Sequence, residues 1–158
     1  MIKAVNMALE SPDSNVMLLL ENTAGEKNSV GSSFEHIQGI IDGIEKSNRI
    51  GICFDTCHAF AAGYALRTEA GLAATLAQLE ETVGIDRLKV IHANDTKGDL
   101  GSGLDRHEHI GMGFIGEDGF RRILHHPAFA RLPLICETPV DDRRDDRGNI
   151  QAVRNLAR

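Results

Sequence analysis

At 158 residues the chain is long enough for one domain with a real core. No run of about 18 apolar residues marks a membrane span, and Met1–Glu10 lacks the apolar core of a signal peptide, so a cytoplasmic protein is expected. A net charge of −6 argues against a simple phosphate-binding surface, although three bound divalent cations would cancel it.

In chain order, residues 2–10 have helical spacing through Ile2, Val5 and Leu9, and a turn through SPDSN leads into the apolar run VMLLLE at 16–21. Ser33 is placed to cap a helix reaching about Ser47, with Phe34, Ile37, Ile40, Ile41 and Ile44 as its buried face. The run IGICFD at 50–55 follows. A helix is expected over 69–83, with Leu72, Leu76, Leu79 and Val83 as its stripe. LKVIH at 88–92 is the third run. A long Gly-rich stretch then fills 93–116, and unpatterned loops of that length are usually functional or disordered. A helix fits 117–125, LPLICE at 132–137 is the fourth run, and a last helix begins near Asn149. VDDRRDDRGN at 140–149 is expected to be a solvated surface loop.

Each of the four runs ends in a metal-competent side chain: Glu21, Asp55, His92 and Glu137. The ends lie roughly 35 to 45 residues apart, enough for a loop, a helix and a return. Parallel strands joined by crossover helices bring all such ends to one edge, where α/β folds hold their sites. The predicted fold is therefore α/β, four βα units of a (β/α)₈ TIM barrel, with residues 1–158 as a single partial barrel domain. An isolated half barrel has open edges, so self-association is expected.

Glu21 at the end of VMLLL is costly to bury unpaired and calls for a cation, with a structural salt bridge as the plainer alternative. Asp55 and His58 stand three residues apart and can reach neighbouring metals. His92 is either a ligand or a satisfied core histidine. Asp105 and His107 share one side of an extended segment and can grip one ion, while Arg106 between them points elsewhere, toward a phosphate. Glu21, Asp55, His92 and Glu137 thus form one group, and His58, Asp105 and His107 a second. Mixed imidazole and carboxylate donors suit zinc, with manganese or iron as alternatives. Adjacent metals suit phosphodiester hydrolysis. The first group alone would suit a single-metal sugar isomerase or epimerase, which has no need of the second. Cys53, Cys57 and Cys136 are expected to be small buried thiols, since Cys53 and Cys57 lack a second pair to complete a zinc knuckle.

FDTCHAFAAGY, HANDTKGDLGS, DRHEHIGMGFIG and ICETP, in this order, resemble endonuclease IV, the zinc-dependent apurinic/apyrimidinic endonuclease family. The resemblance runs from about Leu18 to the final helix and implies the C-terminal half of a (β/α)₈ barrel with three zinc ions. It implies a DNA repair enzyme that cleaves the backbone 5′ to an abasic site in double-stranded DNA. By the same resemblance Glu21 would bridge two zincs. Asp55, His92 and Glu137 would complete the second zinc, and His58, Asp105 and His107 would hold the third. Glu21 and Glu137 would be the catalytic carboxylates, with Glu137 orienting the attacking hydroxide, and Arg106 would contact DNA. Two departures stand out: Gly103 replaces a usual basic residue before Asp105, and Met112 replaces a common Glu. The family's first zinc also takes two histidines from an N-terminal half, and none of His36, His109, His125 or His126 matches them. The expectation is therefore two complete zinc sites and reduced or no activity of this chain alone, either as a truncated nuclease or as a metal-binding fragment without turnover.

Overall fold

The computed structural model describes residues 1–10 and 15–158. The turn expected through SPDSN lies mostly on 11–14, outside the described residues. Helix α1 (Ile2–Leu9) leads into β1 (Leu18–Glu21), then α2 (Phe34–Asp42) and β2 (Ile50–Asp55). Next come α3 (Thr56–Ala61), α4 (Glu69–Thr82) and β3 (Leu88–His92). The Gly-rich stretch holds β4 (Asp95–Thr96) and β5 (His107–Glu108), and α5 (Gly116–His125), β6 (Leu134–Ile135) and α6 (Asp146–Leu156) complete the chain.

Local chemistry sets these boundaries. The Ser33 side chain accepts from the His36 amide, and the Thr68 side chain accepts from the Gly71 amide, so α2 and α4 begin where their caps stand. Helix α2 stops at Gly43, short of the expected Ser47, because α1 packs there. Asn6 donates to the Gly43 carbonyl, and a Cβ at Gly43 would collide with Ile2. Ile44 beyond the helix is nonetheless buried with Phe34, Ile37, Ile40 and Ile41, as the spacing predicts. In α4 the stripe of Leu72, Leu76 and Leu79, continued by Val83, is also buried.

Strands β1, β2, β3 and β6 form one parallel sheet in that order. Ile50, Ile52, Phe54 and Ile91 face the helices and form the core with them, each worth about 1.5–3 kcal/mol when fully buried. The opposite face carries Leu19, Gly51, Cys53, Val90 and Ile135, ending in the metal-competent residues. The β2–β3 register slips by one residue: Ile52 pairs with Leu88, but Cys53 pairs with Val90. The extra residue, Lys89, bulges over Gly51, where a Cβ would lie 2.7 Å from the Lys89 Cγ. Beyond the bulge Asp55 and His92 fall side by side.

Two expectations need correction. LPLICE is strand only at Leu134–Ile135, where the Pro133 and Ile135 carbonyls accept from Ile91 and Ala93. Pro133 has no N–H to give, and the Glu137 amide turns to the Asn94 side chain, so Glu137 stands two residues past the strand. The 140–149 run is also not simply a solvated loop. Asp145 caps α6, which starts at Asp146 rather than near Asn149, and Arg143 and Arg144 bond to β5 and the residues after it. No helix among the described residues is long and apolar enough to cross a membrane.

Candidate metal centre

Because the sheet is parallel, Glu21, Asp55 and His92 end three adjacent strands at one edge, and Glu137 joins them from the extension of β6. Donor atoms of these four residues all lie within 4.8 Å of one another. The His92 Nδ1 sits 3.1 Å from Glu21 Oε1, 3.2 Å from Glu137 Oε2 and 4.0 Å from Asp55 Oδ2. One ring nitrogen carries at most one proton, which cannot satisfy three converging carboxylates. A divalent cation can.

The second group is adjacent. Asp105 Oδ1 lies 3.3 Å from His58 Nε2 and 3.5 Å from His107 Nε2, and these three residues also have donors within 4.8 Å of one another. Both rings are oriented from behind: His58 Nδ1 meets the Asn22 carbonyl at 2.9 Å, and His107 Nδ1 meets the Glu137 carbonyl at 2.9 Å. With the hydrogen on Nδ1, Nε2 presents a lone pair to the site, the usual arrangement behind a ligating imidazole. The buried His107 Nε2 has no hydrogen-bond partner. A buried nitrogen left without a partner costs free energy, which a metal ion would recover. The donors present therefore fit cations in both groups.

Asp55 joins the groups. It is fully buried, with Oδ1 accepting from the His58 amide at 2.8 Å and Oδ2 accepting from Asn94 Nδ2 at 2.6 Å. Oδ2 also faces His107 Nε2 at 3.9 Å. Glu21 belongs to the first group and also meets His58 from behind, its Oε1 lying 3.3 Å from His58 Nδ1 and 3.1 Å from His92 Nδ1. Burial pushes the Asp55 carboxyl up, against the pull of His58, its amide and His107. For Glu21 burial acts in the same sense, but His58 and His92 outweigh it and hold the carboxyl below its ordinary value. Burial pulls His58 down, yet Glu21, Asp55 and Asp105 together raise it to about 9. The site attracts positive charge strongly.

Several residues that the sequence analysis did not single out hold this arrangement. Asn22 exchanges two bonds with the Asp55 backbone, donating to its carbonyl and accepting from its amide. Thr56 donates to the Asn94 carbonyl, and Asn94 ties Asp55 to Glu137. All three are buried, and they follow strand-end ligands by one or two residues, which was the available signal. Asp95 is buried too, and its carboxylate accepts from the Thr96, Gly113, Ile115 and Gly116 amides, closing the base of the Gly-rich loop. Within that loop β4 and β5 pair antiparallel, so the stretch is an ordered ribbon carrying Asp105 and His107. Arg106 is exposed beside them and donates to the Asp105 carbonyl.

Cys53 and Cys57 are buried, and burial pushes both thiols up to about 12. Cys136 is raised to about 11 by the same cause. The Cys53 sulfur nonetheless lies within 4.8 Å of Glu21 and His92 donors, and that of Cys57 within 4.8 Å of Asp55 and His107 donors. Of the other histidines, His125 bonds to the Arg121 carbonyl, His126 accepts from the Ala128 amide, and His109 is buried with its Nε2 against Asp141.

The family model of the xylose isomerase-like TIM barrel matches residues 1–158. A protein named probable endonuclease 4 from Methanoculleus marisnigri is 64% identical over 157 residues, covering 99% of this chain and 56% of the relative. Its namesake from Methanosphaerula palustris is 59% identical over 158 residues, covering 98% of the chain and 55% of the relative. The crystal structure of endonuclease IV from Thermus thermophilus superimposes with a TM-score of 0.74 at 36% identity, over 89% of this chain and 48% of that one. The chain thus spans about half the length of the curated relatives it matches.

Proposed function

Since the chain belongs to the xylose isomerase-like TIM-barrel family, we propose that its two donor groups serve hydrolysis of a DNA phosphodiester 5′ to an abasic site. The observation that carries this reading is the adjacency of the groups across Asp55, with the His107 Nε2 left unpartnered in the second. A single-metal sugar isomerase would use the first group only and gives no reason for the second.

Glu21, Asp55, His92 and Glu137 would hold one divalent ion, and His58, Asp105 and His107 another, with zinc the best match to the donors. Closely spaced divalent ions supply charge stabilisation for the attacking and leaving oxygens of a displacement and lower the pKa of bound water. The chain's own residues do the rest. Glu137 is half-exposed and held at its amide by Asn94, so its carboxylate can orient a water and accept its proton. Glu21 serves the first group and helps orient the His58 ring at its Nδ1, and Arg106 at the exposed rim meets a backbone phosphate.

The outermost strands, β1 and β6, each have one neighbour in the sheet, which supports association with further strands. Sedimentation at low micromolar concentration is expected to give a dimer or larger species; a strict monomer counts against this.

The test of function is incision of a duplex carrying one abasic site. The chain alone is expected to give little or no product. Mixing it with the remaining segment of the M. marisnigri relative should restore incision, and a chelator should abolish it. Robust cleavage by these 158 residues alone would refute the division of labour proposed here, and no cleavage by the mixture would favour metal binding without turnover.

A further inference from the structure

The ribbon that carries His107 is fastened to the segment after Glu137 at two levels. At the first level His107 Nδ1 donates to the Glu137 carbonyl. Two residues on, His109 is fully buried, and its Nε2 lies 2.9 Å from Asp141 Oδ1. Asn149 in the first turn of α6 fixes the tautomer: its Oδ1 accepts from the Ile110 amide, so its Nδ2 must donate to His109 Nδ1, at 3.0 Å. His109 Nε2 therefore carries the hydrogen and donates it to Asp141. Arg143 closes the clamp with two parallel bonds of 3.0 Å to the Glu108 carboxylate and one of 2.7 Å to Asp141 Oδ2.

Residues 107 and 109 project to the same side of an extended segment, so these bonds form a ladder from 107–109 to 137–141. The rungs are side chains. The two ends of the ladder differ in how else they are held. Glu137 has a second anchor at Asn94, whereas the sheet partner of β5 among the described residues is the two-residue β4.

We propose that His109 is a positioning residue, which through Asp141 holds His107 at the distance from Glu137 that lets both donor groups load together. This rests on the metal reading given above. A buried histidine already satisfied by Asp141 and Asn149 needs no other purpose to exist, so the test must separate positioning from simple stability. Asp141 is partly exposed, and its replacement opens no cavity.

The experiment is a Co²⁺ titration of the chain, followed by the visible absorption of the bound ion and by circular dichroism. Wild type is expected to bind two ions. In Asp141→Ala and in His109→Phe, which keeps a ring and removes the donor to Asp141, the ion at His58, Asp105 and His107 should bind about 10–100-fold more weakly with an altered spectrum. The ion at Glu21, Asp55, His92 and Glu137 should change by less than about threefold in both. Asp141→Asn keeps an oxygen acceptor for His109 and should bind both ions within about threefold of wild type. Folded Asp141→Ala and His109→Phe proteins with wild-type affinities and spectra would overturn the proposal, as would equal weakening of both ions or failure of Asp141→Asn to rescue. If Asp141→Ala does not fold, the comparison of His109→Phe with wild type decides. A wild-type chain that takes up no cation would remove the metal reading and this inference with it, a result distinct from failure of the clamp alone.

Discussion

Asn94→Ala removes a side chain that hydrogen-bonds to both Asp55 and Glu137. Its amide orientation is fixed by the network: the Glu137 N–H points at one atom, which must be Oδ1, so Nδ2 faces Asp55 Oδ2 at 2.6 Å. Alanine deletes a hydrogen bond to a carboxylate, worth about 1.5–3 kcal/mol, and leaves the Glu137 amide without its partner, costing about 1 kcal/mol or more. The expected loss is about 3–4 kcal/mol, a large share of the roughly 5–15 kcal/mol that holds a domain together. Urea unfolding of the metal-free protein would measure it. The same change frees Asp55 to rotate and Glu137 to drift, so divalent-ion affinity should fall about 10–100-fold by isothermal titration. Unfolding within about 0.5 kcal/mol of wild type, together with unchanged ion affinity, would refute the claim that Asn94 organises the site.

Elemental analysis of protein purified without added metal is expected to find about two zinc ions per chain, and a chelator should lower the melting temperature; a folded chain with no zinc contradicts the ligand assignment. Gly113→Ala should cost at least about 1–3 kcal/mol in thermal unfolding, because the added Cβ would lie 2.5 Å from Asp95 Oδ1, at the knot that closes the loop. The Arg143 and His109 bonds to Asp141 hold its carboxyl well below the usual carboxylate range. A folded-state value below the unfolded one stabilises at neutral pH and is lost as pH falls through the folded value. The difference in urea midpoint between wild type and Asp141→Asn should therefore be widest near pH 7 and shrink below about pH 4.

The strand ends and helix stripes were legible because burial imposes period on sequence. Leu72, Leu76, Leu79 and Val83 fall on one buried stripe, and Asp55 and His92 do end their strands. The meeting of Glu21, Asp55 and His92 was likewise readable, since parallel topology brings strand ends together, whereas Glu137, Asp105 and His107 reach them from loops and a separate ribbon. Less legible were features whose partners lie far off in the chain. Arg143 looks like part of a solvated charge run until Glu108 is found opposite it, 35 residues earlier. His109 reads as surplus until Asp141 and Asn149 close on it. Glu137 shows why an apolar run overstates a strand: the run persisted, but Asn94 took its amide from the sheet.

The bulge at Lys89 makes two positions in different strands a single unit of inheritance. Lys89 fits because residue 51 has no side chain, and a Cβ there would also meet Leu19. A lineage that replaces Gly51 has to lose residue 89 or move its side chain, whereas loss of Lys89 alone leaves Leu88, Val90 and His92 against their present partners in a regular ladder. Deletion of residue 89 would thus ease a later substitution at 51, leaving Leu19 to yield, and the liganding edge of the sheet would pass through the change unaltered.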